Sequence, residues 1–208
     1  MGRTMTGTMT GVTAFVLAGG RSVRMGRDKA LLAWEGRTLL EHALEVAGAV
    51  AGSVQIVGAK DKFAPYGKVV EDVYPERGPL GGIHAGLVTD SSELNLFLAV
   101  DLPYVTPALL AFLIRRAQDG STLVTAPRLA AGWEPLCAVY RAEFAAIAER
   151  ALREGRNAIH PLLDFVGTLG IDEGELAAAG FPATMFRNLN TAADLEVSSG
   201  ADALDLSQ

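Results

Sequence analysis

Residues 13–32 decide the fold, and they read TAFVLAGGRSVRMGRDKALL. The first five residues are mostly β-branched, aromatic or apolar, and they predict a short buried strand of an α/β sheet. Gly19 and Gly20 follow, and without a Cβ atom their backbone can take positive φ and bring N–H groups close to a ligand. The sequence therefore predicts a phosphate-gripping loop at the end of a strand.

Cations are concentrated directly after the glycines, although the whole chain carries a net charge of −6. They are Arg21, Arg24, Arg27 and Lys29, opposed only by Asp28. A glycine-rich turn with arginines is in general more often a solvated connection, but focused cations at a strand end favour an anion site. The loop matches neither the Walker A pattern, since Ala30 follows Lys29, nor the G-x-G-x-x-G dinucleotide fingerprint. We therefore expect an anion-binding loop of a third kind.

Length and composition are typical of one globular domain. The chain has 208 residues, and half of them are apolar. That length and apolar content suffice for a single substantial core. We expect one domain over residues 12–197, with flexible termini at residues 1–11 and 198–208, because the terminal segments lack an apolar period.

Cysteine usage and charge indicate the compartment and the kind of partner. The single cysteine, Cys137, lies in an apolar setting and is expected to be a packed thiol, which favours a cytoplasmic location. No apolar run approaches the roughly 20 residues of a membrane span, and the polar N-terminus is unlike a signal sequence. The acidic balance argues against broad nucleic-acid binding. These features favour a small anionic substrate.

Predicted strands alternate with predicted helices along the chain. The expected strands cover residues 13–17, 54–58, 68–72, 94–100, 122–127 and 135–140, with one more within 181–191. The expected helices cover about 38–50, 80–89, a segment starting at Thr106-Pro107, 142–154 and 157–165. This alternation predicts a three-layer α/β/α fold with a mainly parallel sheet, and residues 94–100 are expected at its centre.

Two aspartates stand at predicted strand ends, where ligands of such sheets bind. Asp101 follows residues 94–100, and Mg²⁺ prefers one or two carboxylates together with phosphate oxygens and water. Asp101 is thus the first candidate metal ligand, and capping of the Leu102-Pro103 turn is the structural alternative. Asp72 is a candidate ligand contact or a solvated strand end. The three histidines suggest no metal cluster.

Several motifs resemble one known family. The pattern L-A-G-G-x-S-x-R-M-G-x-D-K over residues 17–29 resembles the signature loop of the molybdenum cofactor guanylyltransferases, within the nucleotidyltransferases. Asp101-Leu102-Pro103 resembles the D-x-P element that this family uses to bind metal. The GPLGG stretch at residues 78–82 and NLNT at residues 188–191 resemble further family elements. Related enzymes that use CTP tend to carry L-A-A-G, so Gly19 favours guanine.

The resemblance implies a Rossmann-like, glycosyltransferase-A-like nucleotidyltransferase fold. It implies transfer of GMP from GTP to molybdopterin cofactor, with Mg²⁺ as cofactor, release of pyrophosphate and transient contact with other molybdenum cofactor proteins. The implied catalytic residues are Arg24, Lys29 and Asp101. The implied nucleotide-binding residues are Leu17, Ala18, Gly19, Gly20, Lys29, Asp72, Gly78, Pro79, Leu80 and Asp101. The implied metal ligands are Asp101 and Asn190.

Two departures from the family pattern leave alternatives open. Val57-Gly58 stand where some members place a polar residue, often asparagine, and Ala192 replaces a proline after Thr191. The enzymatic alternatives are a molybdopterin cytidylyltransferase that uses CTP and a nucleotidyltransferase for another sugar or alcohol phosphate. The non-enzymatic alternative is a GTP-binding adaptor that delivers the cofactor. Glu134 resembles part of an acceptor-side block, or simply precedes an edge strand.

Overall fold

The structure is a computed structural model and describes residues 9–19 and 28–189. The strands are β1 (Met9–Leu17), β2 (Ala33–Trp34), β3 (Arg37–Thr38), β4 (Ala51–Val57), β5 (Val69–Val70), β6 (Leu94–Ala99), β7 (Val124–Leu129), β8 (Gly132–Trp133), β9 (Cys137–Arg141) and β10 (Leu169–Asp172). The helices are α1 (Leu39–Gly48), α2 (Lys60–Phe63), α3 (Pro79–Thr89), α4 (Pro107–Asp119), α5 (Phe144–Arg153), α6 (His160–Phe165) and α7 (Glu173–Ala178). Short 3₁₀ turns cover Lys29–Leu31, Ala64–Tyr66 and Ala183–Phe186.

An eight-stranded sheet forms the centre of the molecule. Its strand order is β10-β7-β9-β6-β1-β4-β5, with β8 paired to β7, and β2 and β3 form a separate hairpin. β1 pairs in parallel with β4 and β6, as do β4 with β5 and β7 with β10. β9 runs antiparallel to both β6 and β7. The predicted mainly parallel sheet is confirmed, and β6 lies at its centre as expected.

Helices cover both faces of the sheet. One hydrophobic cluster joins the sheet to α1 and α4, and a second joins it to α3, α5 and α6. Along β1, Ala14 and Val16 belong to the first cluster, whereas Phe15 and Leu17 belong to the second. Burial on both faces explains why the strand is apolar without alternation. The three-layer α/β/α prediction is therefore confirmed.

Helix α3 packs closely against the sheet at Gly86. The ring of Phe97 on β6 stacks on Phe15 at 5.0 Å between centroids and meets Tyr140 edge-on at 5.4 Å. Gly86 of α3 faces these rings, and a Cβ atom on Gly86 would lie 2.9 Å from Phe97 ring carbons. Only glycine therefore lets α3 approach the sheet to this distance.

The helix starts follow the predicted capping signals. Thr38 and Glu41 form a capping box at the start of α1, each accepting a backbone hydrogen bond from the other. Thr106 accepts from the Leu109 N–H at the start of α4, and Pro107 occupies the first turn. Within residues 9–19 and 28–189, no helix is long and apolar enough to cross a membrane.

The final strand lies earlier than expected. We predicted a strand within residues 181–191, but the described part of that segment contains the 3₁₀ turn Ala183–Phe186, and β10 covers Leu169–Asp172 instead. The predicted strand is absent from the described residues 181–189. β10 was missed because its single fully buried residue, Ile171, gives too short an apolar signal to recognise. Several bounds also differ by a few residues; for example, β5 stops at Val70, and β1 begins at Met9, before the predicted start of the domain.

Candidate functional site

A cleft opens where β1, β4 and β6 end side by side. Its floor and walls include residues 17–19 at the end of β1, 57–58 at the end of β4 and 99–101 at the end of β6. Parallel strands place their carboxyl ends at one edge, and ligands of open α/β sheets bind in the crevice outside that edge. The structure therefore brings Leu17, Ala18, Gly19 and Asp101 into one cleft, which the sequence predicted.

Lys29 and Asp101 meet across this cleft. Lys29 begins the 3₁₀ turn Lys29–Leu31, and its Nζ donates to Asp101 Oδ2 at 2.8 Å. The two side chains are 17% and 27% exposed, so the pair is shielded but still open to a ligand. A cation and a carboxylate side by side can bind phosphate oxygens and a metal ion, respectively.

Two glycines form a flat part of the cleft floor. A Cβ atom on Gly19 would lie 3.6 Å from the Gly58 Cα atom, so the ends of β1 and β4 approach closely. A Cβ atom on Gly58 would lie 2.8 Å from the ring of Phe63, which is buried. No side chain at position 58 can therefore face the cleft, and only backbone is offered to a ligand there.

The start of α3 forms the next wall. Gly78 takes a φ of +67°, which favours glycine, and Pro79 occupies the first turn of the helix. Both residues line the cleft. The Leu80 side chain instead points into the core and is fully buried, whereas Gly82, two residues further, lines the cleft. The predicted segment thus reaches the cleft through its small residues and Pro79.

Asp72 stands against the first turn of α3. Cβ atoms on Gly81 and Gly82 would lie 3.7 and 3.6 Å from its carboxylate oxygens. The side chain opens to the cleft, yet protein atoms surround the carboxylate closely enough that burial raises the pKa of Asp72 above its usual value. Among the described residues, no group donates a hydrogen bond to it. Its oxygens are therefore available to a ligand.

Another carboxylate, Glu134, lies beside the wall of the cleft that Leu136 forms. Its backbone N–H donates to the Pro127 carbonyl at 3.0 Å, and its own carbonyl accepts from the Cys137 N–H at 3.3 Å. Leu136 lines the cleft, and its carbonyl accepts from Ala99 at 2.8 Å. Burial, with a contribution from the negative charge of Asp101, raises the pKa of Glu134. Glu134 therefore lies close enough to Asp101 for their charges to interact.

Trp133 on β8 stabilises the segment that precedes Glu134. The Trp133 Nε1–H donates to Asp164 Oδ1 of α6 at 2.8 Å. The Arg128 guanidinium lies over the Trp133 ring, 4.8 Å from its centroid. These contacts fix the β7–β8 turn from which Glu134 follows.

Sequence reasoning missed one pair at the cleft. Asp28 lines it, and Lys62 of α2 donates to Asp28 Oδ2 at 3.1 Å. Asp28 also caps the 3₁₀ turn of Lys29, because its Oδ1 accepts from the Ala30 N–H at 3.2 Å. Aspartate before an apolar run is a recognisable N-cap signal, so the cap could have been found. The lysine partner carries no local signal, since the contact is tertiary.

Some predicted site residues lie outside the described part of the chain. Gly20, Arg24 and Asn190 are among them. The last described residue, Leu189, is buried, and its N–H donates to the Asp101 carbonyl at 3.1 Å. The chain therefore returns to the metal candidate immediately before Asn190.

The remaining titratable candidates have structural contacts. His42 Nε2 donates to the Pro103 carbonyl at 2.8 Å, and His84 is buried, which lowers its pKa. Cys137 is also buried, and burial raises the pKa of its thiol. Within the described ranges, no three His, Cys, Asp or Glu side chains form a group that could hold a metal.

The chain is similar in sequence and structure to several known proteins. Residues 14–165 match the model of a family described as MobA-like NTP transferase domain. The chain is 32% identical over 196 residues to the molybdenum cofactor guanylyltransferase of Desulfosudis oleivorans, covering 93% of this chain and 96% of that protein. It is 34% identical over 203 residues to the probable molybdenum cofactor guanylyltransferase of Methanosarcina mazei, covering 88% of each. Its structure is similar to that of molybdopterin-guanine dinucleotide biosynthesis protein A from Archaeoglobus fulgidus, with a TM-score of 0.77, 26% identity and coverage of 89% and 96%.

Proposed function

Since the chain belongs to the MobA-like NTP transferase family and is a nucleotidyltransferase, we propose that it transfers GMP from GTP to molybdopterin cofactor. The products are the guanine dinucleotide form of the cofactor and pyrophosphate. The observation that carries this proposal is the contact of Lys29 with Asp101, 2.8 Å apart in the cleft at the carboxyl ends of β1 and β6.

The reaction needs positioning and charge neutralisation more than covalent chemistry from the protein. A phosphate oxygen of molybdopterin attacks the α-phosphorus of GTP in line, and the bond from that phosphorus to the β-phosphate oxygen breaks. The Lys29 ammonium stabilises negative charge on the triphosphate and on the departing pyrophosphate. Arg24, from the cationic segment, has the same role in the proposal.

Asp101 is the proposed ligand for Mg²⁺. Its carboxylate already holds one cation, the Lys29 ammonium, and a single carboxylate suits a magnesium ion whose other ligands are phosphate oxygens and water. Asn190 is the second proposed ligand, since Leu189 before it is bonded to the Asp101 carbonyl. When bound, the ion would neutralise charge on the phosphates.

The base and ribose are assigned to the glycine side of the cleft. The backbone of residues 17–19, together with Gly20 from outside the described residues, is assigned to the base pocket. Gly58 cannot carry a competing side chain because Phe63 fills the space. The proposed nucleotide site is completed by Asp72, Gly78, Pro79 and Leu80. Leu80 contributes its backbone and the packing of its buried side chain, and that side chain does not contact the nucleotide. Gly19 supports GTP over CTP because the cytidylyl enzymes tend to carry alanine there.

The proposal also covers the location of the protein in the cell and its protein partners. A cytoplasmic location agrees with a single buried cysteine that makes no disulfide. Transient contact with other molybdenum cofactor proteins follows from the need to receive molybdopterin and pass on the dinucleotide form.

The test is pyrophosphate release from each of the four NTPs with Mg²⁺ and molybdopterin cofactor. The native chain is compared with Asp101→Asn and with Asp119→Asn, a matched change of an exposed aspartate at the far end of α4. Release from GTP alone, abolished in Asp101→Asn and retained in Asp119→Asn, is the expected result. Release from CTP would reassign the base and keep the mechanism. Binding of GTP without release of pyrophosphate would favour the GTP-binding adaptor. Failure to release pyrophosphate with molybdopterin would favour another sugar or alcohol phosphate as the acceptor.

A further inference from the structure

A carboxylate lies in the wall of a cleft that we assign to an anion. Asp28 lines the same cleft as Lys29 and Asp101. An unpaired negative charge at that position would repel a triphosphate, because the low-dielectric surroundings of a cleft strengthen Coulomb interactions. The molecule therefore needs a cation that offsets Asp28.

Among the described residues, Lys62 supplies such a cation. Its Nζ donates to Asp28 Oδ2 at 3.1 Å, and it comes from α2, far from Asp28 in sequence. Lys62 itself does not line the cleft, so it reaches the ligand site through Asp28. The other Asp28 oxygen, Oδ1, accepts from the Ala30 N–H and shapes the turn that presents Lys29.

We infer that Lys62 is a positioning residue for nucleotide binding. It neutralises Asp28 and holds the turn Lys29–Leu31 in the orientation that delivers the Lys29 ammonium to Asp101. This inference rests on the proposed function only in that the cleft binds an anionic nucleotide.

If Lys62 had a purely structural role, its loss would lower the stability of the fold and not specifically the affinity for the nucleotide. The Lys62 and Asp28 side chains are 53% and 23% exposed, and ion pairs with so exposed a partner contribute little to folding stability. Loss of Lys62 should therefore leave the thermal unfolding midpoint nearly unchanged. Nucleotide affinity should fall, because the charge of Asp28 then faces the triphosphate.

The chain offers a matched control on the same helix. Lys60 carries the same charge as Lys62 and forms no ion pair within residues 28–189. Lys60→Met and Lys62→Met thus remove the same net charge from the same surface. Asp28→Asn keeps an oxygen that can cap Ala30, because asparagine is a good N-cap residue, and removes the negative charge.

The experiment measures the KM for GTP, kcat, and the Kd for GTP by calorimetry at low salt. Lys62→Met should raise KM and Kd about 3- to 10-fold with kcat changed less, whereas Lys60→Met should change neither by more than about 2-fold. Adding Asp28→Asn to Lys62→Met should recover most of the lost affinity, and Lys62→Arg should retain it. High salt should shrink the effect of Lys62→Met.

Three results would overturn the inference: unchanged affinity in Lys62→Met, an equal loss in Lys60→Met, or no recovery in the double variant. Failure of the proposed function is distinguishable. Native protein that binds GTP without releasing pyrophosphate contradicts transfer, yet the Kd comparison among the variants still decides the role of Lys62. Native protein that binds neither GTP nor inorganic tripolyphosphate contradicts both.

Discussion

Replacing Gly86 with alanine should push α3 away from the sheet. The new Cβ atom would lie 2.9 Å from two ring carbons of Phe97 and 3.1 Å from a ring carbon of Phe15. The Phe97 ring cannot swing aside, because it is fully buried, stacked on Phe15 and met edge-on by Tyr140. The strain must therefore be relieved by movement of the helix or of the packed rings.

The expected loss follows from two opposing effects. Carbon atoms in contact lie about 3.5–4.0 Å apart, so the groups must separate by roughly half an ångström or more. Overpacking of this kind costs about 1–3 kcal/mol. Alanine in a helix interior gains about 1 kcal/mol over glycine. Gly86→Ala should thus lower the free energy of unfolding by about 1 kcal/mol, which lowers Tm by about 2–4 °C in a chain of this size.

Thermal unfolding followed by circular dichroism measures this, with Gly48→Ala as the matched control. A Cβ atom on Gly48, at the end of α1, would lie 3.8 Å from Val54 Cγ2, an ordinary contact. That variant should gain about 0.4–1 kcal/mol, because alanine restricts the unfolded chain. If Gly86→Ala raises Tm as Gly48→Ala does, the reasoning about the close approach of α3 is refuted.

Three further outcomes are expected. Lys29→Ala should lower the turnover of pyrophosphate release by about 10²–10³-fold with little change in Tm, since the proposed charge contact acts in the transition state; retained turnover would contradict that role. Burial raises the folded-state pKa of Asp72, so its charge costs nothing below its unfolded pKa and lowers stability fully above its folded pKa. The Tm of Asp72→Asn relative to the native chain should therefore be higher at about pH 7 than at about pH 3, and a difference independent of pH would show that the pKa is not raised. Trp133→Phe removes the 2.8 Å hydrogen bond to Asp164 and should cost about 1.5–3 kcal/mol beyond Trp34→Phe in urea unfolding. Trp34 is a fitting control because its buried Nε1–H has no partner among the described residues, and equal costs would mean that the Trp133 bond contributes nothing.

The centre of the fold was predictable because it follows from local rules. The apolar run of β6 predicted its central place, and Asp101 was recognised because a carboxylate directly after such a strand must lie at the ligand edge. The caps of α1 and α4 were predictable for the same reason, since Thr38 and Thr106 act on residues three positions away.

What could not be predicted depends on contacts distant in sequence or on very short elements. β2, β3 and β8 have two residues each, too few to show a period. The sequence could not show that the Leu80 side chain is buried and that Gly82 lines the cleft, because the rotation of α3 is set by its packing on the sheet. The contact of Lys62 with Asp28 likewise arises only when α2 packs beside the cleft.

The hydrogen bond from Leu189 to the Asp101 carbonyl bears on how the protein is made. The ribosome synthesises the glycine loop first and Asp101 later, but Leu189, the partner that secures the Asp101 backbone, follows only after β10 and α7. A nascent chain stalled before that residue can form β1, β4 and β6 and still leave the Asp101 carbonyl unpaired. This part of the cleft can therefore be completed only after Leu189 has been synthesised, later than the strands β1, β4 and β6 that form the rest of the cleft.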